Sequence, residues 1–358
     1  MQYWEIIFMP ISYHPEQDIA SDSADILVNT VNTVGAMGKG VALAMKERFP
    51  EILAPYQAAC RSGRLKPGGL QICPTDDGRR VVNLATKQDW RNDSRSEWVG
   101  YGLFALNSWL SGLERKPRSI SLPLPGAGNG GLAPAHSQDL IRTYLEGASS
   151  LGIEIRILSK RLAPGALPLI YAGVGARKTP IQIGELMTQI AERAASDAWT
   201  LRSGAAEGAD SFFEKGAGDR AEIYLAKPRA SHPHGLIHTN ELHRRLVEKF
   251  HPNPGALGSY AFELMARNGC QVFGPDFTQP VSVLCCWTPE GRGGGGTGQA
   301  IRYAQAAGIP VLDLGDPART GITADDAYGE LVELAAAYRA ARGYATPNLE
   351  TAQPEFDI

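Results

Sequence analysis

The sequence predicts two consecutive α/β domains, each with a β-sheet flanked by helices. Its 358 residues are 43% hydrophobic, which is enough for two packed cores. Short apolar runs typical of buried strands alternate along the chain with longer stretches of helical periodicity. This alternation stops once, in the polar, proline- and glycine-containing stretch 159–168, and then resumes. We therefore predict domains at 1–162 and 163–345, followed by a mobile tail at 346–358.

The first domain is predicted to contain a parallel or mixed sheet. Four short apolar runs indicate strands, at 24–32, 80–86, 118–125 and 153–158. Apolar residues at helical spacing between these runs indicate helices, near 39–49, 97–113 and 136–150. Strands that alternate with helices are typical of a sheet covered on both faces.

The second domain repeats this alternation without repeating the sequence. Strands are predicted at 168–176, 199–204, 222–226, 280–287 and 309–314. Helices are predicted at 181–195, from about 209, and near 255–268, 298–308 and 324–342. The pattern favours a second open α/β sheet, with a proline- and histidine-rich segment between its two groups of strands.

Charge and cysteine content limit the kinds of partner and site. The formal net charge of -3 gives no bulk positive field, so any contact with nucleic acid has to be local. The five cysteines show no CxxC spacing, which indicates reduced thiols in a cytoplasmic protein. No apolar run approaches the roughly 20 residues that span a bilayer, so we predict a soluble protein without a membrane partner.

We expect neither a metal nor a cofactor. His232, His234 and His238 lie close together in the sequence, but their spacing matches no familiar zinc site. We interpret the segment 231–251 as a ligand-covering loop or a solvent-exposed stretch.

A glycine-containing loop at 31–40 is the first candidate binding element. It joins the strand 26–30 to a helix, which points backbone N–H groups into the crevice beyond the strand. Gly35, Gly38 and Gly40 permit close approach of a diphosphate. Spacing alone also fits a turn that binds no ligand.

Three blocks of the first domain resemble the macrodomains of DarG-type DNA ADP-ribosyl glycohydrolases. These are VNTVNTVGAMGKGVALAMKERFP at 28–50, NLATKQDWRNDSR at 83–95 and SLPLPGAGNGGL at 121–132. The resemblance covers about residues 17–160. It implies a macrodomain that binds ADP-ribose and removes it from DNA bases.

The resemblance also assigns ligand contacts. Asp18 and Ile19 resemble the segment that contacts adenine, and Asn32 resembles the asparagine that faces the distal ribose. The loops at 35–40 and 126–131 resemble those that hold the diphosphate and the distal ribose. The implied ADP-ribose contacts are Asp18, Ile19, Asn32, Gly35, Met37, Gly38, Lys39, Gly40, Thr86, Pro125, Gly126, Ala127, Gly128, Asn129 and Gly130.

Lys87 stands where the resemblance implies a catalytic lysine. Loss of solvation makes a lysine easier to deprotonate, and a neutral amine can attack the anomeric carbon of a ribose. Composition alone would favour a surface lysine after a strand. The second loop carries Asn129 and Gly130 where a related macrodomain has an aspartate, so the acid/base partner of Lys87 is not identified.

Aromatic and cationic residues follow Lys87 directly. Trp90 and Arg91 are the candidates for DNA contact, by stacking on an extruded base and neutralising a neighbouring phosphate. Trp98, at the start of a helix, is interpreted as a core residue. The expected binding partner is ADP-ribose or ADP-ribosylated single-stranded DNA.

Three glycine-rich segments follow strands of the second domain, at 171–180, 202–214 and 290–302. SGAAEGAD and GGGGTGQA within them resemble the signature and phosphate loop of the SLOG superfamily, whose Rossmann-like domains bind nucleotides. The likeness covers about 167–316 and implies a nucleotide-derived ligand and self-association through this domain. The implied contacts are Gly173, Gly175, Arg177, Gly204, Glu207, Asp210, Gly295, Gly296 and Thr297, and His251 or Arg267 could reach the same crevice.

The enzymes of that superfamily carry a catalytic glutamate after the phosphate loop. This chain has Gln299 and Ala300 there, so binding is favoured over hydrolysis. For the whole chain the leading hypothesis is a hydrolase that removes ADP-ribose from DNA bases. The alternatives are a non-catalytic binder of ADP-ribose-derived or cyclic nucleotides and an antitoxin-like protein that captures a toxin partner.

Overall fold

The computed structural model describes residues 11–14, 17–145, 151–159, 168–342 and 344. The chain divides into two compact units, Met1–Gly165 with Asp276–Thr278, and Ala166–Pro275 with Gln279–Ile358. The predicted domain boundary at 162/163 and the predicted mobile tail at 346–358 lie outside the described residues. In the part of the chain that is described, no helix combines the length and apolarity required to cross a membrane.

The first unit contains a six-stranded mixed sheet. Its strands are β1 (Ser12–Tyr13), β2 (Ile26–Val31), β3 (Leu70–Pro74), β4 (Arg80–Ala85), β5 (Ser119–Leu122) and β6 (Glu154–Ile157). They lie in the order β1-β6-β5-β2-β4-β3, and every neighbouring pair is parallel except β3 with β4. The predicted α/β fold with a mixed sheet is confirmed for this unit.

Helices flank this sheet. They are α1 (Gly40–Arg48), α2 (Leu53–Arg61), α3 (Ser96–Ser111) and α4 (Pro134–Leu145). One face of the core joins Met45 of α1, Phe49 directly after α1 and Tyr56 of α2 with Leu27 and Val81 of the central strands. The central strands β2 and β4 are almost wholly buried, which explains their nearly continuous apolar sequences.

Helix α2 and strand β3 lie outside the predicted elements. Helix α2 spans nine residues and carries Pro55 in its first turn, so its helical pattern is short and interrupted. Strand β3 is an edge strand, partly exposed, and it ends at Pro74. Proline is tolerated at such an edge because no ladder hydrogen bond is required there.

The second unit contains a five-stranded parallel sheet. Its strands are β7 (Ile170–Gly175), β8 (Thr200–Ser203), β9 (Ala221–Ile223), β10 (Val283–Trp287) and β11 (Val311–Asp313). They lie in the order β11-β10-β7-β8-β9. From β7 the chain first builds one side of the sheet and then returns to build the other. The carboxyl ends of β7 and β10 therefore border the crevice in which open parallel sheets bind ligands.

Six helices are described in the second unit. They are α5 (Ile181–Ser196), α6 (Ala209–Ala217), α7 (Glu241–Phe250), α8 (Ser259–Phe273), α9 (Gly295–Ala306) and α10 (Ala324–Ala340). Helix α5 buries Met187, Ile190, Ala191 and Ala194, whose spacing gives one apolar face. A Cβ atom at Gly216 of α6 would lie 2.2 Å from the carbonyl oxygen of Thr188, so glycine permits these helices to pack closely.

The histidine-rich segment contains helix α7, and its interpretation as a loop or exposed stretch was wrong for this part. Asn240 caps the helix by accepting hydrogen bonds from the N–H groups of Leu242 and His243. The His243 ring is fully buried, with Nε2 3.0 Å from the carbonyl oxygen of Gly274. Among the described residues, no three His, Cys, Asp or Glu side chains are grouped so that they could hold a metal ion.

Candidate functional site

A cavity of about 810 Å³ lies in the first unit at the carboxyl ends of β2, β4 and β5. Parallel strands end at the same edge of a sheet, so the residues that follow them meet there. β2 contributes Thr30 and Val31, the end of β4 leads to Thr86, and the end of β5 leads to Leu124. Two glycine-containing loops complete the wall. We call 32–40 the first loop and 126–131 the second loop.

Asn32 organises the first loop. Its Oδ1 accepts hydrogen bonds from the N–H groups of Val34 and Ala36, at 3.1 and 3.2 Å, and its Nδ2 donates to the Ala36 carbonyl oxygen at 2.7 Å. Tyr56 Oη donates to the Asn32 carbonyl oxygen at 2.7 Å. Asn32 lines the cavity while its amide fixes the turn, and Gly35 adopts φ +88° within that turn.

The N-terminus of α1 opens into this cavity, since Gly40, Val41 and Ala42 line it. The helix N-cap, Lys39, makes no side-chain capping bond, and none of the described residues in the first turn is acidic. The first N–H groups of a helix lack intrahelical partners and carry partial positive charge. This end of the cavity can therefore bind a diphosphate through backbone N–H groups.

The second loop passes close to its neighbours. A Cβ atom at Gly126, where φ is +79°, would lie 2.6 Å from Leu132 Cδ1, and one at Gly130 would lie 2.6 Å from Ser94 Oγ. Across the cavity, Asn129 Nδ2 lies 3.0 Å from the position of a Cβ atom at Gly40. The two loops thus approach each other, which suits them to hold one ligand from both sides.

Lys87 lies between the loops, two residues beyond the end of β4. The N–H of Thr86 still donates to the Val31 carbonyl oxygen at 3.0 Å, which fixes the chain direction at the end of β4. The Lys87 side chain is half-buried and lines the cavity, and its Nζ donates a hydrogen bond to the main-chain carbonyl oxygen of Asn129. The structure therefore holds a primary amine at the cavity wall.

Among the described residues, the charged side chains on the wall of this cavity are all cationic. Lys39, Lys87 and Arg91 lie on its wall, and no carboxylate is found among the described residues that line it. Asp89 lies nearby, but its carboxylate forms two hydrogen bonds with the Arg91 guanidinium, at 2.7 and 3.0 Å. The Arg91 hydrogen bonds lower the pKa of Asp89 to about 2. Asp89 is therefore ionised at neutral pH and has no proton to donate.

Trp90 and Arg91 form the mouth of the cavity. Trp90 is 60% exposed, and the Arg91 guanidinium lies 5.7 Å from the centroid of its indole ring. Trp98 is half-buried, with the Arg95 guanidinium 5.2 Å from its ring, so its assignment to the core is only partly met. An exposed indole beside a cationic side chain can stack on a nucleobase and contact a phosphate.

The cavity brings together most of the residues implied for ADP-ribose. Those on its wall are Asn32, Gly38, Lys39, Gly40, Thr86, Lys87, Gly126, Ala127, Gly128, Asn129 and Gly130, with Trp90 and Arg91 at the mouth. Five lie outside the wall: Asp18, Ile19, Gly35, Met37 and Pro125. Asp18 caps the short helical turn Ile19–Ser21, and Ile19 and Met37 are core residues.

Three further residues line the cavity and are absent from the predicted contacts: Ser94, Pro123 and Leu124. Ser94 is buried, and its N–H donates to the Gly130 carbonyl oxygen at 2.8 Å, so it supports the second loop from behind. Pro123 and Leu124 follow β5 directly. Their position after a strand was the signal that could have identified them.

A second cavity, of about 830 Å³, lies in the second unit where the strand order reverses. It is lined by seven of the implied residues: Gly175, Arg177, Glu207, Asp210, Gly295, Gly296 and Thr297. Gly173 and Gly204 do not line it. A Cβ atom at Gly173 would lie 2.6 Å from Leu201 Cδ1, and one at Gly204 would lie 1.3 Å from Arg267 Nη1. These two glycines make room for packing.

Asp210 and Arg267 are the buried charged residues of the second cavity. Asp210 accepts a hydrogen bond from the Ala206 N–H at 3.3 Å, and burial raises the pKa of its carboxyl group to about 6. Arg267 Nη1 donates to the Tyr224 carbonyl oxygen at 3.1 Å, and burial lowers the pKa of its guanidinium. Arg267 lines the cavity, as one of the two alternatives expected, whereas His251 does not.

Comparison with known proteins concerns the first unit. Residues 28–141 match the family model of the Macro domain. A DNA ADP-ribosyl glycohydrolase of Thermus aquaticus is 38% identical over 44% of this chain and 43% of its own length. A DNA ADP-ribosyl transferase-DNA ADP-ribosyl glycohydrolase fusion protein of Thermosipho africanus is 29% identical over 41% of this chain and 42% of its own length.

A solved structure also aligns with the first unit. The macrodomain of Mycobacterium tuberculosis DarG is 32% identical, covers 41% of this chain and 97% of its own length, and aligns with a TM-score of 0.39. This chain covers less than half the length of the curated relatives it matches. The family match and the sequence relatives support a DarG-like macrodomain at the N-terminus of this chain.

Proposed function

We propose that the first unit is a hydrolase that removes ADP-ribose from ADP-ribosylated DNA bases. The observation that carries the proposal is the Lys87 amine, which lies on the wall of an 810 Å³ cavity between two glycine-containing loops. The relatives that match this unit are named DNA ADP-ribosyl glycohydrolases, which supports DNA as the substrate. A binding module alone would not require an amine at this place.

ADP-ribose is bound by the two loops and by the N-terminus of α1. The N–H groups at the start of α1 and those of the second loop bind the diphosphate, and Lys39 adds a positive charge. The distal ribose then lies between the second loop and Lys87. This arrangement places the anomeric carbon, C1″, beside Nζ, so that orientation by the loops contributes to the rate.

The reaction follows from that placement. The Lys87 amine in its neutral form attacks C1″, the bond between C1″ and the base nitrogen breaks, and the proton lost by the amine passes to the departing base. Water then adds to C1″ of the lysine–sugar adduct and releases the amine. Overall one water is consumed, the base regains its N–H, and ADP-ribose leaves with a free anomeric hydroxyl group.

The DNA strand is bound at the mouth of the cavity. Trp90 stacks on a base next to the modified one, and Arg91 contacts the adjacent phosphate. A net charge of -3 fits such a local contact and not a long basic track. The preferred substrate is therefore single-stranded DNA, in which bases are free to unstack.

The test is incubation with thymidine- and guanosine-ADP-ribosylated single-stranded oligonucleotides, with release of ADP-ribose measured by mass spectrometry. We expect release by the wild type and none by Lys87→Ala. The matched control is Lys46→Ala, since Lys46 lies on α1 outside the cavity wall. Release at the wild-type rate by Lys87→Ala would contradict the role of this lysine.

The alternative is a protein that binds ADP-ribose without hydrolysis. Calorimetry distinguishes the two: tight binding of ADP-ribose, together with no release from modified DNA or modified protein, supports the binder. Capture of a transferase is a separate question, raised by the relative that joins a transferase and a glycohydrolase in one chain. Co-purification of such a transferase with this chain would support an antitoxin-like role.

For the second unit we propose binding of a nucleotide-derived ligand without hydrolysis. The cavity lies at the carboxyl ends of β7 and β10 and includes the N-terminus of α9, which fits a phosphate-binding site. Gln299 and Ala300 stand where the SLOG enzymes that this unit resembles carry their catalytic glutamate, which supports binding without hydrolysis.

A further inference from the structure

The second cavity is positively charged overall. Among the described residues on its wall, the cationic ones are Arg177, Lys178, Arg229 and Arg267, and the acidic ones are Glu207 and Asp210. The N-terminus of α9 adds partial positive charge to the same space. A ligand that balances this excess carries about two negative charges, as a diphosphate bridge does.

Helix α8 supplies buried polar side chains to this cavity. Arg267 is 6% exposed, and Asn268 and Gln271 are also buried. Among the described residues, Arg267 Nε has no hydrogen-bond partner, and Asp210 provides the buried opposite charge on the wall. A buried guanidinium N–H without a hydrogen-bond partner favours binding of an anion, because an unpaired buried donor costs free energy.

The phosphate loop ahead of α9 is fixed in position. Thr288 Oγ1 accepts a hydrogen bond from the Gly293 N–H at 3.0 Å, and Asn268 Nδ2 donates to the Gly296 carbonyl oxygen at 2.9 Å. Gly295 adopts φ +58°, a conformation that favours glycine. The first N–H groups of α9 are thus held at the cavity wall before any ligand contact.

Apolar side chains line part of the second cavity, and the volume of this cavity is close to that of the first. Leu264, Met265, Pro289 and Ala300 line it, which suits the faces of a base and a ribose. Its volume of about 830 Å³ is close to the 810 Å³ of the cavity in the first unit. The two cavities therefore have room for ligands of similar size.

We infer that the second cavity binds ADP-ribose, the molecule that the first unit would release. The diphosphate lies at the N-terminus of α9 and within reach of Arg267, and one nucleoside end lies against the apolar wall. The inference rests on the proposed function of the first unit only for the source of the ligand. The chain then has two binding sites for ADP-ribose, one in each unit.

The test is isothermal titration calorimetry of the full chain with ADP-ribose, using one charge-introducing variant for each cavity. Gly38→Glu and Gly296→Glu are matched, because a Cβ atom at Gly38 has no atom within 4 Å and one at Gly296 makes only ordinary contacts, at 3.8 Å. Neither glycine requires a positive φ. Each variant places a carboxylate against the diphosphate of one cavity without strain in the fold.

We expect about two ADP-ribose molecules per chain for the wild type, about one for each variant and none for the double variant. AMP should bind Gly38→Glu at least roughly tenfold more weakly than ADP-ribose, because charge-assisted bonds to one phosphate are lost. One molecule per chain for the wild type with none for Gly38→Glu would overturn the inference. Equal binding of AMP and ADP-ribose by Gly38→Glu would overturn the assignment of a diphosphate ligand.

Hydrolysis by the wild type, measured in parallel, separates this inference from the proposed function. Release from modified DNA together with one ADP-ribose per chain contradicts the inference alone. Two ADP-ribose molecules per chain without release contradicts the proposed hydrolase alone. The retained fold of each variant is checked by its circular dichroism spectrum and thermal unfolding.

Discussion

The cavities of the two units lie at equivalent places in their sheets and differ in their charged groups. Each lies at the carboxyl ends of parallel strands, next to a glycine-containing loop and the N-terminus of a helix. Among the described residues, the first has Lys87 beside its second loop and no carboxylate on its wall, whereas the second has Glu207, Asp210 and a buried arginine. In the functions proposed above, the shared features would bind phosphate, and the features that differ would separate a hydrolase from a binding domain.

The largest effect is expected from Lys87→Arg. Arginine keeps the positive charge but is never neutral, so it cannot attack C1″. Release of ADP-ribose should fall roughly 10³-fold, while the affinity for ADP-ribose changes only a few-fold. Single-turnover release and calorimetry measure the two quantities, with Lys46→Arg as the control. Loss of affinity in proportion to rate would show that Lys87 acts in the same way as the cations of the second cavity.

The second largest effect is expected at a glycine whose Cβ position is occupied by a neighbouring side chain, in comparison with a glycine whose Cβ position is free. Gly204→Ala places a methyl group on the Arg267 guanidinium and should destabilise the second unit by about 2–4 kcal/mol. Gly38→Ala adds a methyl group in open space and should change the stability of the first unit by less than about 0.5 kcal/mol. Urea unfolding, followed by circular dichroism, checks both. Equal effects would contradict the close approach at Gly204.

The third prediction concerns pH. Burial raises the pKa of Asp210 from its ordinary value of 3.8 to about 6, so the folded second unit takes up a proton more readily than the unfolded chain. This contribution stabilises the fold below pH 3.8 and is lost as the pH rises through about 6. The free energy of unfolding of the wild type should therefore fall, relative to Asp210→Asn, between pH 4 and pH 7. Chemical unfolding at several pH values measures the difference, and a constant difference would contradict it.

The smallest effect on stability is expected from the replacement of two buried serines. Ser203 Oγ donates to the Gly173 carbonyl oxygen at 2.6 Å, so Ser203→Ala should cost about 1 kcal/mol. Ser94 Oγ is buried and has no hydrogen-bond partner among the residues that the structure describes, so Ser94→Ala should leave stability unchanged or raise it slightly. Thermal unfolding of the two variants checks the pair. A loss of stability in Ser94→Ala as large as that in Ser203→Ala would show that Ser94 Oγ has a partner.

Much of the fold could be predicted from periodicity. The strands β2 and β4 and the helix α5 were found because their sequences are long and consistently apolar on the faces they bury. Helix α7 was missed because its apolar residues are few and its N-terminus lies in a proline- and histidine-rich stretch. Its cap, Asn240, was the available signal.

The candidate site was predictable only where sequence neighbours form its wall. Lys87, Trp90 and Arg91 are close in the chain, and the loops around Gly38 and Gly128 could be recognised from their glycines. Residues contributed by other strand ends or by helices could not be predicted, because their place in a cavity depends on sheet order and helix packing. Leu124, Arg229 and Gln271 are of this kind.

The hydrogen bond between Lys87 Nζ and the Asn129 carbonyl oxygen has a consequence for turnover. A neutral amine that donates this hydrogen bond keeps its lone pair free, so in the proposed reaction Nζ would face C1″ while the second loop still holds it. The contact would thus fix the direction of the attacking lone pair, and the same contact would hold the amine in place from one substrate to the next.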